Sequence, residues 1–506
     1  MDAVIAGFGA ALTPSNVAFV ALGVLLGYVV GVLPGFNRPT ALALAVPLTF
    51  YMGPVSGISF LIGISKGSAT GGAVSAILLN TPGEASSAAT CLDGYPLARK
   101  GRARSALLMA LIASVFGDVF ATFVLIALAQ PLSRVALLIG PVEICAVLLF
   151  AITFIASLSG ASLLRGLISA FLGILLGTVG LDAETGTPRF TFGQADLFDG
   201  LPLMVIAIGL LALSEMVVQM EERGTQQSTT LAAGGDRLQR DEIMACIPVI
   251  LRSSLLGTVL GVIPGLGASV ASFVAYSWVR STSSTPERFG QGALEGVAAA
   301  EAADNAVVPA GLIPLFALGI PGGIAAALII GAFMIHGITP GPLMFLNHAP
   351  VLNAIYASML LASALMFAFG YFGSGMFARL AQLPLSVIVA AVVFLCIVGA
   401  YIEGGTMFGV YLVLGFAVLG WLLRKFDFSY VTFLIGFVLT PTLELSLRQA
   451  LILTDRNPYA LLRHPIALAI LAVTFLAVWR MASRRRDVTR LATNQSHQSS
   501  AKGKEA

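Results

Sequence analysis

The chain is apolar over most of its length, and the apolar stretches do not alternate with polar residues. Runs of about twenty hydrophobic residues, the length that crosses a bilayer as helix, recur between residues 16 and 481, roughly a dozen by that measure. Helices and closed barrels are the two architectures that satisfy backbone groups inside lipid, and no run alternates as a lipid-facing barrel strand would. The pattern predicts an all-α polytopic membrane protein of about a dozen transmembrane helices, with further broken or re-entrant helices. The first span, from Asn16, has no basic segment before it and no small-residue cleavage site after it, so it reads as a membrane helix rather than a removable signal.

The interruptions carry the organisation. Residues 78–101 read LLNTPGEASSAATCLDGYPLARKG, which places a Pro-Gly break, an acid, small hydroxyl residues and a basic cluster where an apolar helix should continue. Proline removes a backbone donor and clashes with the preceding turn, and glycine adds freedom, so Pro34, Pro82, Pro264 and Pro321, each followed by Gly, are expected to open helices. GYVVGVLPG at 27–35 agrees with GTVLGVIPG at 257–265 in six positions of nine, and each is followed by a second break, NTPG or GIPG. DGYP at 93–96 and HGITPGP at 336–342 add a third matched element. A polar stretch separates the copies, so the expected organisation is an N-terminal transmembrane repeat over 1–220, a polar linker over 221–242, a C-terminal transmembrane repeat over 243–482 and a basic disordered tail over 483–506. Repeats with interrupted hydrophobic segments at corresponding positions point to a secondary transporter, with the two halves inverted and the substrate site where half-helices meet.

Composition agrees: 57% of residues are hydrophobic and 10% charged, against roughly a quarter charged in soluble domains. The net charge of +3 gives no basic surface for nucleic acid, but the positives cluster at 99–104, at Arg424 and Lys425, and at 480–490, which by the positive-inside rule face the cytoplasm. The tail is therefore expected in the cytoplasm, and the acidic connection 182–199 on the opposite face. Four cysteines without CxxC spacing read as small buried hydrophobes.

Freed carbonyls at a break can bind a small cation, while amides opening the next half-helix favour an anion. Asn37, Asn80, Thr81, Ser86, Ser87, Thr90, Ser269, Ser272 and Asn305 offer neutral oxygen or amide ligands beside the breaks, and with the backbone of Gly83, Gly265, Gly267, Gly319 and Gly322 they suit a transient sodium ion and a polyanionic substrate. Small residues also let membrane helices pack closely, and for a single serine that explanation comes first. For Asn80 and Thr81, beside TPG, a ligand role comes first. Glu301, Asp304 and Asn305 share one helical face and either bind a cation, carry a proton or line a vestibule. Glu84, directly after Pro-Gly, reads as a cap on the next helix, and Asp93 as a turn residue. Lys66, in an otherwise uncharged segment, has three open readings: attracting an anionic substrate, pairing with an acid, or snorkelling to the interface. Asp118, Glu143, Glu215, Glu403 and Glu444 are assigned to span ends or interhelical pairs. HExxH, GxSG, GxGD and a phosphate loop are all missing, which argues against an intramembrane enzyme and against ATP hydrolysis by that loop. No cofactor is expected.

GVLPG, GGAVSAILLNTPGEASSAATCLDGYPLARKGRARSAL, GVIPGLGASVASFVAYS, FGQGALEGVAAAEAADNA and ALGIPGGIAAALIIGAFMIHGITPGPLMF resemble the large permease subunit, TctA-like, of tripartite tricarboxylate transporters. The resemblance runs from about Gly23 to the last helix. It implies a bacterial inner-membrane importer of citrate-like or other organic acids, a symporter using sodium or protons, partnered by a small four-helix membrane subunit and a periplasmic solute-binding protein. It carries site candidates onto Pro34, Gly35, Asn80, Pro82, Gly83, Asp93, Gly94, Pro264, Gly265, Gly267, Glu301, Asn305, Gly319, Pro321 and Gly322. Asn37 stands where the family usually has Gly, Asp304 where it has Asn, Ala317 where Thr is frequent, and Lys66 where an aromatic is more usual. The alternatives are a stand-alone cation-coupled organic-anion transporter and, remotely, an intramembrane enzyme using Glu301 and Asp304.

Overall fold

Helices account for most of the described residues in a computed structural model that describes residues 2–33, 36–158, 162–182, 184–221, 236–380, 385–455 and 457–476. In chain order they are α1 (Asp2–Ala11), α2 (Pro14–Val32), α3 (Arg38–Ala45), α4 (Pro54–Leu79), α5 (Ala88–Arg99), α6 (Ala103–Ala136), α7 (Pro141–Leu158), α8 (Leu163–Gly177), α9 (Leu203–Ala207), α10 (Ser214–Glu221), α11 (Arg240–Val262), α12 (Gly267–Thr282), α13 (Leu294–Ala310), α14 (Leu312–Leu318), α15 (Ile324–Ile335), α16 (Met344–Asn347), α17 (Ala349–Leu380), α18 (Leu385–Gly404), α19 (Met407–Lys425) and α20 (Tyr430–Leu453). Among the described residues, ten helical segments are long and apolar enough to cross a membrane, and four shorter apolar helices, the last at Pro465–Leu476, accompany them. The all-α polytopic expectation is met. Among the described residues the strands are two short ones, β1 (Gly180–Leu181) and β2 (Pro188–Arg189), paired antiparallel in the acidic connection, where Asp182 accepts the N–H groups of Glu184 and Thr185 and pairs with Arg189.

The chain divides into two compact units. The first is Met1–Leu138 with Val179–Phe426, and the second is Ile139–Thr178 with the chain from Asp427 onward. Each unit draws on both halves of the sequence. In the second unit the glycines of α8 meet backbone: Gly166 lies against the Ala156 carbonyl and Gly173 against that of Phe433, and His464 meets Glu143 at 2.8 Å.

The first unit is organised by backbone contact between α2 and α4. Gly23, Gly27 and Gly31 recur every fourth residue on α2, and a Cβ at each would run into the carbonyls of Phe60, Ile64 and Ser68 on α4. Gly63, Gly67 and Gly71 return the contact from α4, against the carbonyls of Val20, Val24 and Tyr28. Two stripes of small residues thus interleave, the usual way for apolar helices to pack closely where lipid gives no hydrophobic driving force. The second half repeats it. Gly257 and Gly261, the counterparts of Gly27 and Gly31, lie on α13 against Ala303 and against Val307 and Ala310.

The close pairing brings break onto break. Gly83, after the TPG proline, lies against the Gly31 carbonyl at the end of α2. In the second half the Gly265 N–H donates to the Gly322 carbonyl at 3.0 Å. The terminators correspond as well: α4 ends on Asn80 with φ 54°, α14 on Gly319 with φ 74°, both left-handed and both two residues before the proline. Glycine is the ordinary residue for that conformation and asparagine the commonest substitute.

Two local readings need correction. DGYP does not break the chain, because Asp93 and Pro96 lie inside α5. Nor is Asp93 a turn residue: its Oδ1 accepts the N–H groups of Gly290, Gly292 and Ala293 at 2.7–2.8 Å, and Tyr276 donates to Oδ2 at 2.9 Å. It staples α5 to the loop before α13. Of the polar linker, residues 222–235 lie outside the described residues. Its end is tied to the basic cluster, since Asp236 accepts the N–H groups of Arg104 and Ser105 and Glu242 pairs with Arg102 at 2.7 Å. The basic tail 483–506 also lies outside the described residues.

Adding a methyl at Gly27 should cost about 1–3 kcal/mol through overpacking against backbone that cannot turn away. Gly415→Ala on α19, where an added Cβ meets nothing within 4 Å, should leave stability unchanged or slightly raised. Thermal midpoints of the two variants in detergent check this.

Candidate functional site

Asn37 opens α3 by accepting the Thr40 N–H on its side chain at 3.1 Å, with Pro39 in the first turn where a missing donor is harmless. This local geometry makes Arg38 the first helical residue, and its side chain is buried. Arg38 Nη2 donates to Glu84 Oε2 at 2.7 Å and reaches Asp304 Oδ1 at 3.5 Å, while Nε lies 3.4 Å from Glu84 Oε1. Ser68 of α4 donates to the same Oε1 at 2.6 Å. Glu84 therefore does not cap the following helix, and none of the amides of the Ala85–Ser87 turn bonds to its side chain. A guanidinium in a buried setting attracts the carboxylate more strongly than helix-end amides do.

The face predicted on α13 is real and wholly buried, with Glu301, Asp304 and Asn305 each 1% exposed or less. That burial argues against the vestibule-lining role. Thr90 of α5 donates to Glu301 Oε1 at 2.5 Å and Ser114 of α6 to Oε2 at 2.9 Å. Thr70 of α4 donates to Asn305 Oδ1 at 3.1 Å, and Asn305 Nδ2 donates back to the Glu301 carbonyl at 3.1 Å. Helices of the first half thus enclose an acidic face supplied by the second.

The cluster is unbalanced: one guanidinium faces Glu84 and Asp304, with Glu301 one helical turn away. Beside it, Ser87 Oγ is buried without a hydrogen-bond partner among the described residues. Buried carboxylates in excess of their counter-charge are costly, so a proton or a cation is the natural complement. Among the described residues no group of three or more His, Cys, Asp or Glu side chains is arranged to hold a metal ion. A monovalent ion here would draw on hydroxyls and single carboxylates.

The other expected site residues sit differently. Asn80 is exposed as the left-handed terminator of α4, Thr81 donates to the Leu79 carbonyl at 3.3 Å beside Pro82, and Gly83 is buried against α2. Gly265 and Gly322 bond to each other next to Pro264 and Pro321, Gly319 ends α14, and Gly267 and Ser269 begin α12, which packs on the Ala85–Ser87 turn. Pro34 and Gly35 lie outside the described residues. Lys66 takes the acid-pairing role, at 2.7 Å from Asp118. Glu215 pairs with Arg424 between helices, and Glu444 with Arg448 one turn along α20.

Sequence reasoning missed Arg38, Ser68, Thr70 and Ser114. A signal for Arg38 existed, since it is a charge placed four residues after Pro34 in a segment otherwise free of charge.

The sequence model described as the Tripartite tricarboxylate transporter TctA family matches residues 17–435. Among curated proteins, a 52.8 kDa protein from the region 3′ of ttuC′ in TAR-I of Agrobacterium vitis is 38% identical over 472 residues, covering 93% of this chain and 94% of its own. A protein from the corresponding TAR-II region of the same organism is 36% identical over 222 residues, 44% of this chain and 92% of its own. No solved structure matches.

Replacing Arg38 with Gln strands Glu84 and Asp304 without their cation and should cost about 3–5 kcal/mol, as for other buried pairs broken on one side. Arg38→Gln combined with Glu84→Gln should recover most of that loss. Thermal melts of the two variants in detergent decide it, and equal destabilisation would show that the ion pair is not the reason.

Proposed function

From the chain's membership of the Tripartite tricarboxylate transporter TctA family, the membrane component of such transporters, we propose that it is the large permease subunit of a binding-protein-dependent secondary importer of tricarboxylates or related organic acids. It works in a bacterial inner membrane with a small membrane subunit and a periplasmic solute-binding protein, driven by a sodium or proton gradient. The observation that carries the reading is Arg38, a buried guanidinium shared by Glu84 and Asp304 where the first half's breaks meet the acidic face of α13.

Two exchanges follow from that geometry. A substrate carboxylate offers Arg38 the same bidentate partner that Glu84 supplies, so it competes for the guanidinium. Once released, Glu84 and Asp304 need a new counter-charge, and a proton or sodium ion meets that need with Ser86 and Ser87 as neutral oxygen neighbours. Substrate and ion then each favour binding of the other, the reciprocal linkage that a symporter requires. Asn80, Thr81, Gly83, Gly265, Gly267, Ser269, Gly319 and Gly322 contribute by shaping the half-helix ends, whose freed carbonyls and amides would serve as further ligands.

Reconstituted with both partner subunits, the protein should take up citrate-like acids only when the binding protein and a sodium or proton gradient are present. Arg38→Gln with Glu84→Gln should fold and yet lose about tenfold or more of uptake, the scale of one lost charge-assisted contact. Uptake at the native rate by that double variant sinks the assignment of the site.

A further inference from the structure

Lys66 lies on α4, one turn before Thr70, and has no exposed surface. Its ammonium donates to Asp118 Oδ2 at 2.7 Å, to the Met359 carbonyl at 2.9 Å and to Ser363 Oγ at 3.0 Å, with Thr122 Oγ1 at 3.4 Å. Three donors therefore have three close oxygens and a fourth beside them, all from α6 and α17. The single proton of the Ser363 hydroxyl has Asp118 Oδ2 at 2.5 Å and the Met359 carbonyl at 2.9 Å as alternative acceptors. The other carboxylate oxygen, Asp118 Oδ1, is buried without a partner among the described residues, and Asp118 is 1% exposed.

A carboxylate, two hydroxyls and a backbone carbonyl around one point make a ligand set of hard oxygens with a single negative charge. This is the donor chemistry that suits a monovalent cation, and the lone oxygen of Asp118 gives it room for one more contact. The carboxylate, the carbonyl and one hydroxyl meet the three donors of the buried ammonium, and the second hydroxyl lies beside them.

We propose that Asp118, Thr122, Met359 O and Ser363 form a monovalent-cation site whose resident ion is the tethered ammonium of Lys66. The lysine holds α4, α6 and α17 together as a bound ion would, and keeps the site permanently filled and neutral. The site shares no residue with the Arg38 cluster.

The test uses the full chain purified in detergent, with thermal unfolding measured in sodium, potassium or ammonium chloride against N-methyl-D-glucamine chloride at equal ionic strength. Lys66→Ala vacates the ammonium and should gain a saturable stabilisation by at least one small cation that the wild type lacks. At ten times its dissociation constant the ion raises the folded-to-unfolded ratio about tenfold. Adding Asp118→Asn to Lys66→Ala should remove that gain. The proposal is overturned if Lys66→Ala responds to cations as the wild type does, if the gain survives Asp118→Asn, or if Lys66→Ala cannot be recovered folded in any of the three small-cation salts.

Discussion

The contact on which the first unit depends is the backbone-to-backbone approach of α2 and α4 at Gly23, Gly27 and Gly31. In lipid, helices gain nothing from hiding apolar surface against each other, so close packing between small residues supplies the attraction. That approach sets everything downstream of the breaks. Since the end of α2 lies on Gly83, the first residue of α3 and the residue after Gly83 come to one place. These are Arg38 and Glu84, and their ion pair follows from the register of two glycine stripes.

The second half supplies the same scaffold with a different outcome. Gly257 and Gly261 seat α11 on α13, and Gly265 bonds to Gly322, yet the segments directly after these breaks, 266–279 and 323–335, carry no charged residue. Its acids are on α13 itself, and they face the hydroxyls of α4, α5 and α6. The duplication therefore builds one shared locus rather than two equal ones. The two buried cations near it are managed in opposite ways. Lys66 is matched by one carboxylate and has all three of its donors met, whereas Arg38 is shared between two carboxylates. A saturated pair favours a fixed structure, and an unsaturated one leaves a free-energy gain available to a ligand.

Pro82, Pro264 and Pro321 were readable as breaks because the loss of an N–H and the ring clash act on the chain's own preceding turn. Asn80 shows the limit of such reading. Its position beside TPG was informative, but its left-handed φ makes it the counterpart of Gly319, a backbone role that composition could not separate from a ligand role. Pro96 has the look of a break in the sequence and lies inside α5, where Asp93 bonds to amides about 200 residues away. Glu84 was read as a cap because its amide neighbours are local, whereas Arg38 is 46 positions distant.

The sequence by itself determined the all-helical membrane architecture, the breaks at Pro82, Pro264 and Pro321, the matching motifs around them, and the acidic face of α13. Each of these rests on forces between residues within a few turns: hydrophobic length, backbone torsion, missing donors and helical periodicity. Only the tertiary structure decided which cation meets which acid, that Arg38 and not an amide takes Glu84, and that Lys66 is enclosed by Asp118 and the oxygens of α17. A buried charge is governed by whichever partner lies nearest in space, and in this chain that neighbour is set by helix packing across positions that sequence distance does not record.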